Sequence, residues 1–189
     1  PISIHMLAVV FGMGSAYFMQ YLFFRKIRNR VEESHIELFN IVSHVIKIAL
    51  VFMFVTGVGF LVFYATTDPS KLNNAKIYGK IMVVIILCIN GLAMHEPAKT
   101  VLYAHIGRPF LEDLTLKEMR YFLFKGTMSF VFWTTAFLMG VFRTMNNLYG
   151  IEFYIGTIIA LMLIIKVTTY LMAPFIMPQR DIQSISQKK

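Results

Sequence analysis

The chain has 189 residues, of which 57% are hydrophobic and only 15% charged, with a mean hydropathy of +0.65. That balance excludes an ordinary soluble domain, where about a quarter of residues are charged. The net charge of +8 does not indicate a nucleic-acid partner, because most of the basic residues sit in the segments that flank apolar runs.

A bilayer core about 30 Å thick takes roughly 20 apolar residues per helix. Five stretches reach that length: 3–24, 38–64, 77–96, 120–142 and 152–174. Alternation with a period of two is missing, which argues against a membrane β-barrel. The expected fold is all-α: a polytopic membrane bundle of five transmembrane helices in one domain, closed by a polar cytoplasmic tail over 175–189.

The first span opens near His5 and carries a patch of small residues, Gly12, Gly14, Ser15 and Ala16, of the kind that lets helix backbones approach. It lacks a basic leading region and is long enough to cross a bilayer, so it reads as a span rather than a cleaved signal. The basic segment Arg25-Lys26-Ile27-Arg28-Asn29-Arg30 follows directly.

The second span holds His44 about two turns inside its start and Lys47 one turn further on, with Gly57 and Gly59 as further small residues. The third contains Lys80, the single cysteine Cys88, then Asn90, Gly91 and His95 ahead of Glu96 and Pro97. A lone thiol in an apolar span forms no intrachain disulfide and is expected to be inert.

The longest connection, 97–119, reads as a short surface helix, a break at Gly107–Pro109, and a new helix capped by Thr115 with Glu118 three residues later. The fourth span carries Lys125, a small-residue patch at Gly126-Thr127-Met128-Ser129, and Trp133 at mid-span; the fifth carries Lys166. Tyr64, Tyr78, Tyr121, Tyr149 and Tyr154 fall near the span ends, as an interfacial aromatic belt requires.

Eleven basic residues fall in the three segments on one side of this arrangement, against Lys71, Lys76 and Arg143 on the other. By the positive-inside rule the N-terminus is outside and the C-terminus cytoplasmic, in a cytoplasmic (inner) membrane. The connections are too short for a soluble catalytic domain, so any chemistry lies between the helices or at their ends. No internal repeat supports an inverted-repeat transporter.

Ionisable residues inside spans are costly and point to function. The spans contain histidines and lysines but no carboxylate away from their ends, which lowers the case for a cation-coupled carrier. At 1.5 Å per residue, His5 and His44 differ in depth by roughly 20 Å and cannot share a metal, whereas His44 and His95 differ by about 6–9 Å. Two imidazoles on neighbouring helices suit the two axial positions of a b-type haem, with Lys47 as a propionate partner and Asn90 bonding an imidazole or a nearby carbonyl. The candidate cofactor-binding residues are therefore His44, His95, Lys47 and Asn90, with His44 and His95 as metal ligands. His35 and His105 read as surface residues, Lys125 and Lys166 as lysines reaching for headgroups. Copper is the alternative metal, from thirteen methionines that include Met6, Met13 and Met94 near histidines; the same residues serve as apolar filler.

His5 with Gly12 and Gly14, the basic segment 25–30, His44, Thr56-Gly57-Val58-Gly59-Phe60, Lys80, and Asn90-Gly91 before His95 resemble small bacterial membrane proteins related to the copper-resistance D and cytochrome-b-like families. The resemblance covers residues 5–95 and implies a haem or copper association. The fourth span has no histidine, so a two-haem arrangement with four axial histidines is not supported. The expected role is electron transfer or redox sensing, with the lipid bilayer, a redox partner or the subunits of a larger complex as partners. The alternatives are a copper or small-solute transporter, and a structural subunit whose polar residues hold its helices together.

Overall fold

The computed structural model describes residues 2–26, 29–111, 114–142 and 148–177, with only the backbone at Lys26. The polar tail from 178 onward, Arg28 and Arg143 lie outside the described residues. Five long helices follow in order: α1 (Ile2–Lys26), α2 (Glu33–Thr67), α3 (Ala75–Ala104), α4 (Leu116–Val141) and α5 (Ile151–Ile176). All five are long and apolar enough to cross a membrane, and no strand occurs among the described residues beyond two isolated bridges. This is a helical multi-pass architecture.

Each boundary has a local cause. Glu32 precedes α2 in a capping box closed by His35, and the α2–α3 link is a single 3-10 turn, Pro69–Asn73, with Pro at its start. Asn74 caps α3 by accepting from Lys76 N–H at 3.1 Å. Thr115 and Glu118 form the expected reciprocal box at α4: Glu118 N–H donates to Thr115 Oγ1 at 3.2 Å, and Thr115 N–H to Glu118 Oε2 at 2.8 Å.

The segment after Pro97 departs from expectation. α3 does not stop there to leave a separate surface helix; it runs on to Ala104 and breaks at Gly107, where φ is +77°. A proline inside a helix forfeits the bond to the carbonyl four residues earlier, here Ala93. Tyr121 Oη of α4 donates to that carbonyl at 2.5 Å, so the orphaned group is satisfied from the neighbouring helix.

α4 is the centre of the bundle, in contact with α1, α3 and α5. A third of its apolar window is buried (33%), against 11% for α2, which packs mainly on α1. The core has two parts. The larger gathers Trp133, Phe132, Val83, Leu87, Met53 and Ile158, and the smaller lies at the end that carries the basic connections. There the chain links close over the helices: Val31 N–H donates to Arg108 O at 2.9 Å, Gly107 N–H to Val31 O at 2.8 Å, and Phe110 N–H to Asn29 O at 3.3 Å. Val31, Phe110, Leu111 and Leu114 are buried as a result.

The small-residue patches divide. Gly12 meets the Trp133 ring at distances that leave no room for a Cβ, Gly126 meets the movable amide end of Gln20, and Gly14, Gly57 and Gly59 face open space. Tyr154 is buried against Gly79 rather than placed in an aromatic belt; Tyr78 and Tyr149 are exposed.

Candidate functional site

The structure places the four expected cofactor residues in three different settings. His44 and Lys47 are exposed on α2. Val42, Ala49 and Met53 are the buried residues flanking them in sequence. At 3.6 residues per turn, His44 points about 160° away from that stripe and Lys47 about 140°. His95 is half-buried at the edge of the packed face of α3, its ring stacked on Phe39 of α2 with centroids 5.7 Å apart and planes at 12°. Its Nε2 lies 3.8 Å from Glu96 Oε1. Asn90 is 2% exposed and donates from Nδ2 to Lys125 O on α4 at 3.0 Å.

Of the four, Lys47 lies within electrostatic reach of His95, while His44 is exposed on α2. Phe39, not His44, occupies the α2 position against His95, and depth along the membrane could not reveal which way an α2 side chain points. Asn90 bonds a backbone carbonyl, one of its two expected partners, and its Oδ1 is buried without a partner. Lys125 is half-buried with Nζ 5.7 Å from the centre of the Tyr121 ring, and Lys166 is exposed. No group of three His, Cys, Asp or Glu side chains that could hold a metal occurs among the described residues.

Several other intramembrane polar groups act between helices, while Thr135, Thr157 and Thr169 bond carbonyls of their own helices. Thr134 Oγ1 donates to Phe130 O at 2.8 Å within α4, so its bond with Tyr17 of α1 takes the Tyr17 hydroxyl as donor, at 2.5 Å. The same logic fixes His5. Thr56 spends its proton on Phe52 O at 2.5 Å, so His5 Nδ1 is the donor to Thr56 Oγ1 at 2.7 Å. Phe60 packs edge-on against the His5 ring, and Lys80 of α3 lies within electrostatic reach. Lys76, 3% exposed, donates from Nζ to Phe142 O just past the end of α4.

A cleft lies at the end with the basic connections. It has a volume of about 120 Å³ and lies among the last turns of α1 and α3 and the first turns of α2 and α4, with Arg30, Val31 and Phe110 from the links. Its walls are mainly apolar, Met19, Phe23, Leu38, Phe39, Met94 and Leu102 among them, and its polar residues are Gln20, Arg30 and His35. Sequence reasoning did not bring these three together. His35 is half-buried, not a bare surface residue, and its Nδ1 accepts Glu32 N–H at 3.0 Å, which leaves Nε2 to carry a proton. His105 is also half-buried, with Nδ1 2.7 Å from Val101 O. Two signals were present in the sequence: Glu32 three residues before His35 at a helix start, and a lone Gln20 amide within an apolar run.

Ligand pockets for drug-sized molecules and cofactors measure about 300–1,000 Å³. A space of about 120 Å³ is closer to the engineered cavity of about 150 Å³ that admits benzene. Neither His44 nor His95 lines this cleft, and His44 is directed away from the buried stripe of α2. The sequence matches no protein-family model, no curated protein and no solved structure.

Proposed function

We propose that this chain is a membrane-embedded anchoring subunit, set in the inner membrane with its basic connections in the cytoplasm. The observation that supports it is how its intramembrane polar groups are used. His5–Thr56, Tyr17–Thr134, Asn90–Lys125 O and Tyr121–Ala93 O each tie one helix to another, and they do not converge on a shared reaction centre. Groups of this kind act as interhelical glue, at about 0.6 kcal/mol each on average in a membrane. α2 meanwhile exposes Phe52, Phe54, Val55, Val62 and Phe63, a broad apolar face suited to lipid or to a neighbouring subunit.

Purification in a gentle detergent tests this reading. A partner retained in fixed stoichiometry is expected; a chain that purifies alone and drives solute uptake in reconstituted vesicles overturns it in favour of a transporter.

A b-type haem bound through His95 is the second reading, favoured by one observation: the half-buried imidazole held flat against Phe39. A Soret band lost in His95→Ala and kept in His44→Ala supports it. A colourless preparation from haem-replete cells removes it.

A further inference from the structure

We infer that the cleft at the basic end of the bundle binds one acyl chain of an anionic amphiphile, with the chain between the helices and the headgroup at Arg30 and His35. Three features converge. The walls are apolar where a chain would lie, and a space of about 120 Å³, below the roughly 300–1,000 Å³ of cofactor pockets, admits a segment of a chain. The cleft lies at the helix ends, so its mouth is level with lipid headgroups if the basic connections mark the membrane surface. Beside the Gln20 amide, its polar groups include two donors: the Arg30 guanidinium, and His35 Nε2, whose proton is fixed there because Nδ1 is occupied by Glu32 N–H. Arg30 itself is positioned by the link pairing, opposite Pro109. Donors above an apolar slot are complementary to a carboxylate or phosphate carried on a hydrocarbon chain.

Two sources share this chemistry, a free fatty acid and an anionic membrane lipid. The test uses the full chain in a neutral detergent with the fluorescent fatty acid cis-parinarate as probe. Saturable binding of one probe per chain is expected, with its methyl ester about tenfold weaker because a charge-assisted bond is lost. Displacement by palmitate but not by lysophosphatidylglycerol identifies the free acid as ligand; displacement by both identifies the lipid headgroup as an equal ligand.

His35→Glu is the most discriminating variant, because glutamate three residues into the helix keeps the capping box while turning the donor into a repelling charge. It is expected to weaken parinarate about tenfold and to leave the methyl ester unchanged. Ala98→Phe, which fills the slot, is expected to abolish both; Leu102→Trp serves the same purpose if Ala98→Phe fails to fold. Equal affinity for acid and ester, or parinarate binding untouched by His35→Glu and by the slot-filling variant, overturns the proposal.

Discussion

At the scale of single residues, a glycine lets α1 approach the ring of Trp133 on α4. A Cβ on Gly12 would sit less than 3 Å from three atoms of the Trp133 ring, which is itself 1% exposed and fixed among other core groups. Replacing glycine by alanine within a helix is worth about 1 kcal/mol in propensity, but overpacking a filled core costs about 1–3 kcal/mol. The steric term wins, so Gly12→Ala is expected to lower the melting temperature in detergent, whereas Gly14→Ala, which meets open space, is expected not to. Equal melting curves for the two variants would show that α1 does not lie on Trp133 as described. A second residue-scale expectation concerns Pro97. Tyr121→Phe strands the Ala93 carbonyl, a loss of about 1 kcal/mol by comparison with other buried hydrogen bonds. In a Pro97→Ala background the new N–H takes that carbonyl, so the same substitution is expected to cost close to nothing. A double-mutant cycle reads the difference directly.

At the scale of elements, the sequence marks helix existence and helix starts well and helix orientation poorly. Thr115 with Glu118 was legible as a capping box because capping is local chemistry, set by side chains three residues apart. Thr115→Ala is accordingly expected to cost about 1 kcal/mol, seen as a lowered unfolding midpoint with fraying confined to the start of α4 by hydrogen exchange. The path of α3 through Pro97 was not legible, because the hydroxyl that compensates the proline comes from another helix. Nor was the facing of His44. In water, an apolar stripe shows which side of a helix is packed; in a bilayer, lipid tails are as apolar as leucine, and the stripe disappears. α2 is apolar on nearly all sides, so His44 had equal claim to the interior and to the lipid face, and only the packing of Val42, Ala49 and Met53 decides it. The cleft escaped notice for a related reason: its walls come from four helices and two links, and no short window contains more than a fraction of them.

At the scale of the whole molecule, the two ends of the bundle differ in a way that bears on its orientation. One end is sealed by paired chain links, buries Val31, Phe110 and Leu111, and holds the cleft with Arg30 and His35. The other carries the short 3-10 turn at Pro69–Asn73, with Lys71 as its single basic residue. Lysine and arginine counted over short connections set orientation, and acidic residues contribute little, so the sealed end is expected in the cytoplasm. The single native cysteine makes this measurable. Cys88 lies within α3, so Cys88→Ala gives a thiol-free background with one site to introduce. In that background Ser70→Cys, on the exposed turn, is expected to react with a membrane-impermeant maleimide in intact cells. Thr115→Cys, exposed at the sealed end, is expected to react only after the membrane is opened. The reverse pattern would put the Arg30–His35 mouth on the outer surface, and the anionic amphiphile would then have to arrive from the outer leaflet rather than from the cytoplasmic one.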